Sequence, residues 1–247
     1  MSGLARRVVA EFVGSASLVA VVVGSGIAAQ QLSPGDSGLQ LLQNSTATVL
    51  GLAVLILVFG PVSGAHFNPV VSLADWWLGR HNGTGLGTLD LPAYIGAQLA
   101  GCSAGAVLAN VMFEVGAFQV STHVRVSDGH VVGEVVATAG LLAVIFALAR
   151  TGRAGLSAAA VGAYIGAAYW FTSSTSFANP AVTVGRMFSD TFAGIAPASV
   201  PAFVGAQLLG AVLGLGLIVW LYPDSAASAD NVVVPHESTE ADNQSHH

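Results

Sequence analysis

The chain has 247 residues, of which 53% are hydrophobic and only 8% charged, and its mean hydropathy is +0.71. Soluble domains carry about 25% charged residues, so this composition argues against an ordinary soluble enzyme and indicates a protein surrounded by lipid. Seven arginines, no lysine and thirteen acidic residues give a net charge of −6, which excludes a basic nucleic-acid-binding surface. The single cysteine, Cys102, allows neither a disulfide framework nor a cysteine metal site.

Six stretches of the sequence have the ~20 apolar residues that a helix needs to cross a bilayer core ~30 Å thick. They cover residues 8–29, 41–62, 91–113, 131–149, 156–171 and 200–221. The first stretch follows two arginines as a signal peptide would, but Glu11 within it favours a helix that is retained. The sequence therefore predicts an all-α, multi-pass membrane protein.

The arginines are distributed unevenly between the connections, which predicts the orientation in the membrane. Five lie on one predicted side of the membrane, before the first span, between the second and third spans, or between the fourth and fifth: Arg6, Arg7, Arg80, Arg150 and Arg153. The opposite connections hold only Arg125 and Arg186. By the positive-inside rule we expect both termini to be cytoplasmic, in the inner (plasma) membrane. Residues 223–247 are polar and acidic without periodicity, which predicts a disordered cytoplasmic tail.

Two connections are too apolar to be free loops and too short to cross the membrane. They include residues 68–78, between the second and third spans, and residues 179–188, between the fifth and sixth. Eleven residues of helix, at 1.5 Å per residue, reach about half of the ~30 Å core. Each segment is therefore predicted to be a re-entrant half-helix.

Three short motifs recur in the same order in the second half of the chain, which indicates an internal duplication. The pairs are Asn68-Pro69-Val70 with Asn179-Pro180-Ala181, Gly96–Gly101 with Gly205–Gly210, and Glu11 with Glu134. The predicted repeats are residues 1–115 and 116–222, each with three spans and one half-helix. Because three is odd, the second repeat is inverted, and the half-helices enter from opposite faces and meet near the midplane.

The Asn-Pro steps predict two helix N-termini at the centre of the membrane. Asparagine is a strong N-cap, and proline is favoured in the first turn of a helix. Non-helical backbone at that depth must be buried in protein or line a wet cavity. The positive ends of the two half-helix dipoles repel cations and protons. The side-chain amides of Asn68 and Asn179 can donate hydrogen bonds to the oxygen atoms of a solute. We therefore expect a pore for small neutral solutes.

The stretches GAHFNPVV and SFANPAVT, with the duplicated three-span units, resemble the aquaporin (major intrinsic protein) family over about residues 5–222. The resemblance implies six transmembrane helices plus two half-helices in an inverted repeat, and a pore through each monomer of a homotetramer. It implies no cofactor and no enzyme activity.

In that family four positions form a second constriction, and one of them is usually an arginine directly after the second motif. Here that position is Val182, and counting from the motifs gives Thr48, Gly166 or Ala167, and Ser176 for the others. All are small and uncharged, so a wide, weakly polar constriction is expected. It resembles bacterial aquaglyceroporin-like channels associated with arsenic resistance, which implies arsenite as cargo, with glycerol and water also conducted.

Four further residues have two interpretations each. Glu11 and Glu134 either form an ion pathway or, as their equivalence favours, accept backbone N–H groups of the re-entrant loops. His66 is either a pH-sensing gate or a packed, loop-bracing histidine. Arg186 either places a charge at the pore mouth or, as we expect, extends to the membrane interface.

Two other functions remain open at this point. One is a water-selective aquaporin. The other is a proton- or ion-coupled secondary transporter, since inverted repeats and broken helices also build such proteins. A coupled transporter needs titratable or ion-coordinating groups at the midplane, where the two motifs offer only asparagine amides and helix termini.

Overall fold

The computed structural model describes residues 3–80 and 84–223, and the regular structure in those residues is helical throughout. The eight α-helices, in chain order, are α1 Gly3–Leu32, α2 Ser37–Ser63, α3 Pro69–Gly79, α4 Leu91–Met112, α5 Asp128–Arg150, α6 Ser157–Phe171, α7 Pro180–Gly185 and α8 Val200–Leu221. Short 3₁₀ turns precede α6 and α8 and follow α7.

Six helices are long and apolar enough to cross a membrane: α1, α2, α4, α5, α6 with its preceding turn, and α8 with its preceding turn. Large apolar side chains lie exposed on their outer faces, for example Leu50, Leu57 and Val212, each more than half exposed. Such extensive apolar surface is typical of contact with lipid. The predicted six-span membrane fold is therefore confirmed.

The observed helices extend beyond several of the apolar stretches that predicted them. Helix α1 begins at Gly3 and ends at Leu32, whereas its apolar stretch covers residues 8–29. Helix α2 begins at Ser37, because the side chain of Asp36 accepts a hydrogen bond from the Leu39 N–H and caps it. Hydropathy marks only the apolar part of a span, so polar first and last turns are missed.

Glycines bring the same pairs of helices close together in both halves of the chain. A Cβ atom at Gly105 of α4 would overlap the backbone of Ala16 in α1, and one at Gly214 of α8 would overlap the backbone of Ala139 in α5. Small residues let two backbones approach closely where lipid supplies no hydrophobic drive for association. The pairs α1–α4 and α5–α8 thus form matching scaffolds around the centre.

The order of elements is the same in both halves: two spans, a half-helix and a third span. The half-helices differ in length, since α7 is α-helical only over Pro180–Gly185 and continues as a 3₁₀ turn over Arg186–Phe188. The predicted tail, residues 223–247, lies outside the described residues from position 224 onward.

Candidate functional site at the junction of the half-helices

Each half-helix begins as its Asn-Pro step predicts. The Oδ1 atom of Asn68 accepts a hydrogen bond from the Val70 N–H at 3.1 Å and caps α3. The Oδ1 atom of Asn179 accepts from the N–H groups of Ala181 at 2.9 Å and Val182 at 3.2 Å and caps α7. Val70 and Ala181 thus contribute backbone donors to the caps.

The two asparagines also join the half-helices to each other. The Nδ2 atom of Asn68 donates to the carbonyl of Ala178 at 2.8 Å, and that of Asn179 donates to the carbonyl of Phe67 at 2.7 Å. This reciprocity is what a two-fold relationship between the repeats requires. Each amide carries a second N–H, and both asparagines border a central cavity, so two donors can reach a solute.

The loops before both asparagines share an unusual backbone. Ala65 and Phe67 in the first loop, and Ser176 and Ala178 in the second, all have φ between 48° and 51°. Left-handed backbone at a non-glycine residue is uncommon and persists only where the surroundings enforce it. One enforcing contact is the ring of Phe67, which packs where a side chain at Gly14 would overlap it.

Glu11 holds the first loop. Its Oε1 accepts hydrogen bonds from the Ser63 hydroxyl at 2.7 Å and the His66 N–H at 3.0 Å. Its Oε2 accepts from the Phe67 N–H and the Gln98 side-chain amide, both at 2.7 Å. The carboxylate is fully buried and does not border the cavity, so the contacts favour loop bracing over an ion pathway.

Glu134 holds the second loop in the same way. Its two oxygens accept hydrogen bonds from the N–H groups of Phe177 at 2.8 Å and Ala178 at 2.9 Å. The side-chain amide of Gln207 donates to Glu134 at 2.6 Å and to the Thr183 hydroxyl at 2.9 Å. This carboxylate is also fully buried, and it too lies away from the cavity wall.

A narrow central cavity of about 70 Å³ runs past the tips of both half-helices. A cavity needs about 10–15 Å³ to hold one water molecule, so this one is large enough for water and other small solutes. Most of its wall is apolar, and the aliphatic residues that contribute to it are Leu18, Val22, Leu52, Ile56, Val71, Leu141, Ile145, Val161, Ile165 and Val182. Polar groups at the wall come from Thr48, His66, Asn68, Tyr169, Ser176, Asn179 and Arg186.

Three of the predicted constriction residues, Thr48, Ser176 and Val182, lie at this wall. The prediction for the fifth span was wrong, because Gly166 and Ala167 do not border the cavity. A Cβ atom at Gly166 would overlap Val49, so this glycine faces α2 and allows the two helices to pack. Counting along the sequence did not show which face of α6 is turned inward.

Helix α6 instead contributes Val161, Ile165 and Tyr169, which are spaced four residues apart and share one face. The Tyr169 and Thr48 hydroxyl groups lie 3.3 Å apart, in hydrogen-bond contact at the cavity wall, and Tyr169 is buried. An aromatic ring therefore stands beside Thr48, and the expectation that only small residues form the constriction was wrong.

Arg186 lies inside the protein, which corrects the expectation that it extends to the membrane interface. The residue is 3% exposed, its guanidinium carbon is 3.5 Å from the centre of the Phe177 ring, and Nε donates to the carbonyl of Ala193. The Phe177 ring comes from the loop before α7, and the Ala193 carbonyl comes from the loop after the 3₁₀ turn that follows α7. Arg186 thus borders the cavity one helical turn beyond Val182.

His66, on the first loop, also borders the cavity. Its Nδ1 is 3.0 Å from the Ser72 hydroxyl, and its ring centre is 5.4 Å from that of Tyr94. Its Nε2 lies 3.9 Å from a carboxylate oxygen of Asp75. These contacts hold the imidazole in the loop, as the bracing interpretation expects.

Comparison with known proteins agrees with this geometry. The model of the Major intrinsic protein (MIP) family matches residues 1–176. The chain belongs to the major intrinsic protein family. It is 49% identical over 218 residues to aquaglyceroporin AqpS of Rhizobium meliloti (strain 1021), which covers 88% of this chain and 91% of that protein.

Two further comparisons extend over nearly the whole of this major intrinsic protein. It is 30% identical to a glycerol uptake facilitator protein of Pseudomonas aeruginosa, over 90% of this chain and 91% of that protein. The X-ray structure of the aquaglyceroporin from Plasmodium falciparum has the same fold, with a TM-score of 0.65, 22% identity and coverage of 90% of this chain and 96% of that one.

Sequence reasoning also missed Arg125, which lies beside Arg186 in this major intrinsic protein. Its Nε donates to the Gly194 carbonyl at 2.6 Å and its Nη2 to the Phe192 carbonyl at 2.7 Å. Its guanidinium carbon lies 5.4 Å from the centre of the Phe177 ring. No local pattern predicts this contact, because Arg125 and Phe177 are brought together only by the fold.

Proposed function

We propose that this chain is a passive channel through which small neutral solutes cross the membrane, among them glycerol, water and arsenous acid. The observation that carries the proposal is the pair of asparagine amides, held tip to tip by reciprocal hydrogen bonds and bordering one cavity.

The charges around the cavity favour neutral solutes. Two helix N-termini point their positive dipole ends at the narrow region, and Arg186 adds a cation at the wall. The carboxylates that hold the two loops, Glu11 and Glu134, are buried and do not border the cavity. Of the described residues that border the cavity, none is a carboxylate, so nothing there compensates a passing cation.

The wall suits molecules that carry hydroxyl groups on a small body. Amide and hydroxyl groups from Asn68, Asn179 and Thr48 can form hydrogen bonds to a solute, while the aliphatic residues of the wall contact its apolar part. Glycerol has this character, and neutral As(OH)₃ mimics a compact polyol. Val182 leaves the wall apolar and uncharged at its position, so the pore stays open to both glycerol and As(OH)₃. The names of two relatives, an aquaglyceroporin and a glycerol uptake facilitator, support the polyol assignment.

We also propose that the protein is a homotetramer in the inner (plasma) membrane with both termini cytoplasmic. The arginine distribution supports the orientation. At the end of the bundle assigned to the cytoplasm, Arg7 of α1 pairs with Asp90 before α4 at 2.7 Å. The division into repeats 1–115 and 116–222 belongs to the same proposal.

The decisive experiment is stopped-flow light scattering on vesicles that contain the purified protein. We expect faster equilibration of water, glycerol and arsenous acid than in protein-free vesicles of the same lipid composition. Water flux without glycerol flux would favour the water-selective aquaporin instead. Glycerol flux without arsenous acid flux would overturn the metalloid part of the proposal alone.

A further inference from the structure

A second cavity, of about 290 Å³, adjoins the central one at the side of Arg186 and is here called the vestibule. It is lined by Ser37, Gly38, Leu41, Asn44, Arg125, Thr175, Arg186 and Phe192. Arg186 borders both cavities, so it stands where the vestibule meets the narrow pore.

The vestibule holds two arginines that share an aromatic neighbour. The guanidinium groups of Arg125 and Arg186 both approach the ring of Phe177, at 5.4 Å and 3.5 Å from its centre. Arg186 is 3% exposed and Arg125 is half-buried, so water screens this pair poorly. Two like charges at short range destabilise each other unless an anion accompanies them.

Within residues 3–80 and 84–223 neither arginine takes part in an ion pair, and the nearest acidic influence, Glu134, already accepts the loop N–H groups and the Gln207 amide. The hydrogen bonds recorded for the two guanidinium groups go to backbone carbonyls and engage Nε of both arginines and Nη2 of Arg125. An arginine has five N–H donors, so several remain for a ligand, including both Nη groups of Arg186.

The rest of the vestibule wall also favours an anion. Ser37 and Gly38 form the first turn of α2, whose N-terminus carries the positive end of the helix dipole. Thr175 adds a hydroxyl at the wall. The carboxylate next to this turn, Asp36, is exposed and already accepts the Leu39 N–H.

We propose that the vestibule binds a small tetrahedral oxyanion, of which inorganic phosphate is the simplest, between Arg125 and Arg186. Guanidinium groups match such oxyanions by paired, charge-assisted hydrogen bonds. A tetrahedral anion offers enough acceptor oxygens for both guanidinium groups and the Thr175 hydroxyl together. Bound there, it lies over the entrance to the pore and slows the flux of neutral solutes in both directions.

Titration calorimetry of the purified protein in detergent with inorganic phosphate, at constant ionic strength set by potassium chloride, tests the site directly. We expect saturable binding to one site per chain. Arg125→Gln and Arg186→Gln should each weaken it by at least about tenfold, because each removes charge-assisted hydrogen bonds. Arg153→Gln is the matched control, since Arg153 is exposed in the connection between α5 and α6, and it should bind as the wild type does.

The absence of saturable phosphate binding by the wild type, or equal binding by all of these variants, would overturn the proposal. If a glutamine variant does not fold, Arg186→Lys replaces it: it keeps the charge but loses the planar fork, and should still weaken binding. Binding in detergent needs no solute flux, so this result is independent of the channel assay. In vesicles, phosphate should slow glycerol flux in the wild type and not in Arg186→Gln.

Discussion

A few side chains at the cavity wall are expected to set the width and polarity of the pore. Val182 leaves an apolar wall directly after the second half-helix begins, and Arg186 supplies its charge one turn later. Opposite them, the Tyr169 ring reaches Thr48 with its hydroxyl. Selectivity is therefore expected to depend on one aromatic ring and one aliphatic position in combination.

Replacing Val182 with arginine should narrow this part of the cavity and add a second cation, besides Arg186, to the wall of the central cavity. We expect Val182→Arg to reduce glycerol and arsenous acid flux by about tenfold or more, and water flux less, because the larger solutes lose more of the available width. Stopped-flow measurements of all three solutes check this. Val182→Leu, which adds volume without charge, is the control, and an equal loss for all three solutes in Val182→Arg would contradict the role of this position.

Removing the ring of Tyr169 should widen the pore. We expect Tyr169→Ala to raise the ratio of glycerol flux to water flux severalfold, because glycerol is the wider molecule. Tyr169→Phe keeps the ring and loses only the contact between hydroxyl groups with Thr48, so it should change the ratio little. The same vesicle assay compares them, and a ratio that does not change in Tyr169→Ala would show that the ring does not limit passage.

The helices act as pairs that hold the loops in an unfavourable backbone conformation. Glu11 on α1 and Glu134 on α5 are the acceptors for loop N–H groups, and Gln98 on α4 and Gln207 on α8 orient them. The loops are therefore only as well positioned as the packing of α1 on α4 and of α5 on α8. That packing depends on glycines at the helix crossings.

Two glycines of α4 provide a matched test of this packing. A Cβ atom at Gly101 would overlap the carbonyl oxygen of Phe12 in α1, whereas one at Gly96 would contact nothing within 4 Å. We expect Gly101→Ala to lower the free energy of unfolding by about 1–3 kcal/mol through overpacking. Gly96→Ala should leave it unchanged or raise it by up to about 1 kcal/mol, since alanine favours helix.

Thermal unfolding of the two variants in the same detergent measures the difference. Equal midpoints for Gly101→Ala and Gly96→Ala would contradict the close approach of α1 and α4.

At the scale of the whole molecule, two similar halves meet at the reciprocal contact between their loops, and the packing of α2 on α6 and of α4 on α7 also joins them. Because each asparagine donates a hydrogen bond to a carbonyl of the opposite loop, each loop fixes the position of the other. The cavity wall holds no carboxylate from the described residues that could bind a coupling ion. A fixed pathway of this kind allows flow in either direction down a concentration gradient.

Glycerol flux is accordingly expected to be equal in both directions and independent of proton and sodium gradients. Vesicles loaded for influx or efflux, with and without a protonophore or a sodium gradient, provide the measurement. Flux that rises with either gradient would favour the coupled secondary transporter over the channel.

The sequence alone determined the spans, the half-helices and the two asparagine caps. Those features depend on local information: the length of apolar stretches, and an Asn-Pro step that caps a helix wherever it begins. The pairing of Glu11 with Glu134 also followed from the sequence, because duplication places equivalent residues in equivalent positions. None of these conclusions required knowing how the helices pack.

Only the tertiary structure decided which side chains face the pore. Helix α6 is apolar on all sides, so its sequence did not distinguish Tyr169, which borders the cavity, from Gly166, which packs on α2. Arg186 turns inward because the Phe177 ring and the Ala193 carbonyl are brought to it from other segments. Contacts between residues distant in the chain set these orientations, and no local pattern encodes them.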